Sequence, residues 1–141
     1  METTLHNPAF GAVKATPKTE TIGYWIVTVL FCLQMAFTAY AQLRLAPVAE
    51  AFTHLGFPDY FRVELSWAKF LGIVLVLAPV SARLKEWAYA GFFFAMSGAV
   101  ISHLAMGDAA KDLFGPVLLI VLTVTSWYFR PAGRKIIAVN Q

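Results

Sequence analysis

From Ile22 to Ala41 the chain runs without one charged side chain. A run of about twenty residues, rising roughly 1.5 Å each, is what a helix needs to cross the hydrocarbon core of a bilayer. Lipid leaves such a backbone little choice, because every N–H and C=O must be bonded within the segment. The rest of the sequence is of the same kind. Of 141 residues, 59% are hydrophobic and only 13% charged, where a soluble domain is about one quarter charged. A chain this short and this apolar is expected to be a small integral membrane protein with a single bundle and no second domain.

Three further runs follow, and helices are expected at about 22–43, 61–79, 87–105 and 113–129. Tyr24-Trp25 at the start of the first and Trp127-Tyr128 at the end of the last are placed as interface anchors. Between the first two runs, Val48, Phe52 and Leu55 recur at i, i+4, i+7 after Pro47, and Gly56-Phe-Pro58 closes the pattern. This predicts a short interfacial helix. The expected fold is therefore all-α: a four-helix transmembrane bundle over residues 22–130, with that interfacial helix between helices 1 and 2. Residues 1–21 and 131–141 read as tails. Ala39-Tyr40-Ala41 resembles a signal-peptidase site, with cleavage after Ala41. The run before it is longer than the usual apolar region of about 7–15 residues, however, and its N-terminal flank is long and mixed in charge. The segment is expected to stay.

The second run is the odd one. Its unbroken apolar part, Phe70 to Ala78, is too short to span. To cross, it must carry Lys69 and Glu64 with it, and charge at depth is usually functional or paired. Topology sorts the remaining polar groups. With four spans both termini share one side, which collects Lys14, Lys18, Arg83, Lys85, Arg130, Arg134 and Lys135, against Arg44, Arg62 and Lys111 opposite. The positive-inside rule then puts both termini in the cytoplasm. Helices 1, 2 and 3 thereby deliver Thr38, Gln42, Glu64, Lys69 and His103 to one outer-leaflet zone, with Asp108 beside it, while the inner half reads as almost wholly apolar.

That zone predicts a polar pocket able to bind an anionic or quinone-like head group, or to relay a proton through Lys69 and His103. Each member also has a structural explanation. Glu64 can face head groups, and Lys69 can snorkel or pair with Glu64 or Asp108. His103 can cap its helix, and Asp108 can be a turn residue. The single cysteine, Cys32, excludes an internal disulfide, a redox couple and a cysteine metal cage. His6, His54 and His103 are too far apart in sequence for a helical metal pair, so no metal site is expected. Basic residues scattered over the helix ends give no stripe for nucleic acid. Gly91, Ala95, Gly98 and Ser102 lie at i, i+4, i+7, i+11 of the third run, a small-residue face that a neighbouring helix can approach closely.

Three stretches resemble the DoxX-like family of small bacterial membrane proteins. They are Gly56-Phe-Pro-Asp-Tyr-Phe61, Arg83-Leu-Lys-Glu-Trp-Ala-Tyr-Ala-Gly-Phe-Phe-Phe94 and Ser97-Gly-Ala-Val-Ile-Ser-His-Leu-Ala-Met-Gly-Asp108, joined by Lys69-Phe-Leu-Gly72. The resemblance covers roughly Ile22 to Arg130. It implies a four-helix membrane bundle and a link to redox complexes, since the founding relative belongs to a thiosulfate:quinone oxidoreductase. Lys69, Glu86, Trp87, His103 and Asp108 occupy its motif positions, with no role attached to them. The leading expectation is an accessory membrane subunit that binds a lipophilic or quinone-like molecule, or a redox partner. The alternatives are a component of a quinone-coupled oxidoreductase, and an assembly factor or homo-oligomer joined through the small-residue face.

Overall fold

The computed structural model describes residues 17–136; most of the expected N-terminal tail, residues 1–16, and the end of the C-terminal one, residues 137–141, lie outside this range. Five α-helices make up the described chain: α1 (Lys18–Arg44), α2 (Ala46–His54), α3 (Asp59–Leu77), α4 (Ala82–Met106) and α5 (Ala110–Tyr128), followed by a 3-10 turn at Ala132–Arg134. There is no strand among the described residues. α1, α4 and α5 are each long and apolar enough to cross a membrane. The 19-residue α3 is not, because Asp59, Arg62 and Glu64 in its first turns and Lys69 at its middle interrupt it.

The four long helices pack in a ring. α1 lies against α3 and α5, and α4 closes the circuit by packing on the same two. The short α2 rests on α1 and α3 at the end where α1 finishes and α3 begins. Each boundary has a local cause. Pro47 opens α2, where the missing N–H is no loss. Gly56 at φ 80° turns the chain out of α2, and Gly107 at φ 73° ends α4, a left-handed backbone that glycine adopts without steric penalty.

One boundary corrects the sequence reading. The third helix is expected from about residue 87, yet α4 begins at Ala82, and Arg83, Lys85 and Glu86 are all helical. Ser81 is the reason: its side chain caps the helix by accepting from the Leu84 N–H at 3.5 Å.

The middle of the ring is filled by Phe31, Cys32, Met35, Val76, Ala88, Tyr89, Phe92, Met96 and Leu119. Phe31 meets the Phe92 ring edge-on at 5.2 Å and stacks on Tyr89 at 6.2 Å. The close approach of α3 to α4 is at Gly72, where an added Cβ would fall 2.5 Å from Phe92 Cζ. On the small-residue face of α4 no helix comes this close among the described residues: at Gly91 and Gly98 an added Cβ would meet nothing within 4 Å, and the face is left open. Outward-facing positions carry large apolar side chains, with Leu33, Trp87, Phe94 and Phe114 among the most exposed. Such a surface is suited to lipid and not to water.

Candidate functional site

At the end of the ring where α1 and α4 finish and α3 and α5 begin, the helices splay around a cavity of about 540 Å³. That lies within the roughly 300–1,000 Å³ typical of ligand pockets. All five helices contribute to its wall. α2 presents the apolar face read from its spacing, Val48, Phe52 and Leu55. Met96 and Leu119, which belong to the packed middle, form its floor. Gly115 and Pro116 of α5 line it too, and Pro116, lacking an N–H, leaves the Asp112 carbonyl without its helical partner. Two half-open rings, Phe37 and Phe94, belong to the wall and to the exposed outer surface at once.

The polar groups on this wall come from three helices. Lys69 is 4% exposed, ten residues into α3 and so about 15 Å along its axis. Its ammonium donates to Thr38 Oγ1 at 3.4 Å, and Thr38 in turn donates to the Met35 carbonyl at 2.9 Å. No carboxylate pairs with Lys69 among the described residues. Gln42 accepts from Ser66 Oγ at 3.0 Å through Oε1, which leaves its amide NH₂ as a donor group. His103 lines the cavity from α4.

Asp108 stands just outside the wall and holds it. Its carboxylate accepts from His103 Nδ1 at 2.7 Å and from His54 Nε2 at 2.8 Å. The end of α2 is thereby tied to the α4–α5 turn, with one carboxylate serving both imidazoles. Hydrogen bonds from His54 and then His103 keep the Asp108 carboxyl below its ordinary pKa. Glu64 is not part of this arrangement. It is exposed and off the cavity wall, and the ion pair that was open between Glu64 and Lys69 is not formed. Ser66, which the sequence reading passed over, is the α3 group that engages Gln42.

The opposite end of the ring corrects the expectation of an apolar inner half. Ser126 Oγ lies 2.8 Å from both Thr28 Oγ1 and the Tyr89 hydroxyl, all buried. Lys85 is 2% exposed, and its ammonium donates to the Leu75 and Val76 carbonyls at 3.0 Å and to that of Ala78, closing the C-terminal end of α3. Glu86, a motif position, accepts from Arg130 Nη2 at 2.5 Å and from Trp127 Nε1 at 2.7 Å. Arg130 also lies 5.0 Å from the Tyr89 ring centre. Trp87, the other motif position, is 74% exposed and lines a shallow groove between α3 and α4 instead.

The family profile described as DoxX-like family matches residues 26–126. The chain belongs to the DoxX-like family. No curated protein and no solved structure matches it. Within this DoxX-like membrane protein the matched span runs from early α1 to late α5, so both the cavity and the polar cluster at the far end are built largely from family positions. Among the described residues no group of three His, Cys, Asp or Glu side chains is placed to hold a metal ion.

Proposed function

We propose that this DoxX-like protein is an accessory membrane subunit that holds a small lipophilic molecule in the cavity between its helices. In this reading α1, α3, α4 and α5 form a four-helix transmembrane bundle, α2 lies at the interface, and the cavity sits in the outer half. Both termini are cytoplasmic and the membrane is the cell inner membrane, as the distribution of Lys and Arg supports.

The observation that carries the proposal is the cavity itself. It joins a largely apolar wall to a few convergent polar groups, Lys69, Gln42, Thr38 and His103. That is the composition of a small-molecule site, in which apolar area supplies affinity and the polar groups fix orientation. α3 is tolerated as a membrane helix on this reading because its charges face protein, water or the interface and not the acyl chains.

The test is a mass spectrum of the small molecules that accompany the full chain purified in mild detergent. A defined lipophilic species is expected with the native sequence, and reduced by Gly98→Leu, which grows a side chain into the cavity where there is space for it. An identical profile from both proteins would overturn the proposal. A quinone in the eluate would point to the oxidoreductase alternative, which an absorbance change on reduction then reads.

A further inference from the structure

We propose that the occupant of the cavity is an amphipathic anion: an apolar body carrying a negatively charged oxygen head that accepts hydrogen bonds and donates none. This rests on the cavity being a lipophilic-ligand site and goes further by fixing the chemistry of the head.

The inference starts from the protons on the wall. An ammonium has three donors, and Lys69 uses one, at the long distance of 3.4 Å. Thr38 directs its own proton to the Met35 carbonyl and so meets the ammonium as an acceptor only. Gln42 turns its oxygen to Ser66 Oγ, whose one proton is shared with the Arg62 carbonyl, and its amide NH₂ is left as a donor group. Asp108 is off the wall and engaged by two histidines, and Glu64 is exposed and off the wall. Gln34 adds an amide with both donors and an acceptor, and Ser102 spends its proton on the Gly98 carbonyl, but the one formal charge on the wall is positive.

A buried cation without a counter-charge is a costly thing to leave in an apolar cavity. Lys85 shows how this chain treats a lysine whose role is structural: three carbonyls surround it. Lys69 lacks that shell and faces the cavity instead. An anionic oxygen supplies both the missing charge and the missing acceptors. The body then lies along the Phe52, Leu55 and Phe94 side of the wall, where the cavity reaches the apolar outer surface.

The experiment uses the full chain in nanodiscs of zwitterionic lipid and three probes of one chain length: dodecanoate, dodecanol and dodecylamine. Binding of each is measured to the native protein and to Lys69→Met, Lys69→Arg and Gly98→Leu. Charge-assisted hydrogen bonds should give dodecanoate about tenfold or greater preference over dodecanol, with dodecylamine weakest. Lys69→Met should erase the preference and leave a common, weaker affinity, while Lys69→Arg should retain part of it. Equal binding of all three probes to the native protein, or a preference that survives in Lys69→Met, overturns the anion. Binding that Gly98→Leu does not reduce, for any probe, overturns the cavity as the site.

Discussion

Two lysines are buried in this molecule, and they are treated in opposite ways. Lys85, near the start of α4, sits among three backbone carbonyls at the end of α3, sharing that of Val76 with Arg134. Lys69, in the middle of α3, has one long hydrogen bond and a cavity in front of it. The same contrast holds for the two ends of the ring. At the Lys85 end, Glu86 is met by Arg130 and Trp127, and Arg134 reaches the Val76 carbonyl at 3.0 Å and stacks 4.7 Å from Trp25. At the Lys69 end the helices part and leave donors over. Where polarity serves the fold, the chain supplies its own partners; where it does not, a partner from outside is the simpler account.

The sharpest way to break this comparison is to remove each lysine in turn. Lys85→Met strips the Leu75 and Ala78 carbonyls of their donor, leaves Val76 with Arg134 alone, and should lower unfolding free energy by about 2–4 kcal/mol, read by thermal or denaturant unfolding in detergent. Lys69→Met should leave stability within about 1 kcal/mol of the native chain, or raise it, because it deletes a poorly partnered buried charge. Comparable losses from the two would dissolve the distinction.

Ser126→Ala comes next in size. It removes the hydroxyl that Thr28 and Tyr89 share, and interhelical hydrogen bonds of this kind contribute roughly 0.6–1.7 kcal/mol in membrane proteins. A smaller effect is expected at the one blemish of that end. The buried Tyr24 hydroxyl has no hydrogen-bond partner among the described residues, so Tyr24→Phe should be neutral or stabilising by up to about 1 kcal/mol. A clear loss would show that the hydroxyl has a partner in the membrane.

The subtlest test concerns the tie between α2 and the α4–α5 turn. The folded Asp108 carboxyl is held below its ordinary pKa, so its contribution is complete above the unfolded carboxylate value of about 3.9. It fades as the pH falls below that toward the depressed folded value. Amide exchange in α2 should therefore stay slow from neutrality down to about pH 4 and quicken in stronger acid. In Asp108→Asn it should be fast throughout, and exchange insensitive to both acid and the substitution would show that the tie does not hold α2.

Much of the fold was legible because lipid narrows the options: long apolar runs must be helices, and Gly56 and Gly107 mark the exits of α2 and α4. Depth along each helix was legible too, by counting residues from its ends. Direction around the axis was harder. Glu64 precedes Lys69 by five residues, which at 3.6 per turn sets it about 140° away around α3, off the cavity wall. The polar end escaped for another reason. Lys85, Glu86, Arg130 and Arg134 read as topology signals at the helix ends, and their pairing joins residues as far apart as Glu86 and Arg130, 44 positions along the chain. Nothing local announces such a pair. The His54–Asp108 contact, spanning 54 positions, was hidden in the same way.

The aromatic packing between the two ends sets a limit on transport. Between the cavity and the Ser126 cluster the packing is mainly apolar, with Phe31, Met35, Phe92 and Met96 filling it and Thr123 bonded back to the Leu119 carbonyl, and the Phe92 ring against Gly72 draws α3 and α4 together there. The cavity is thus a cup and not a channel. On the proposed membrane placement, an occupant that enters from one leaflet leaves by the same one.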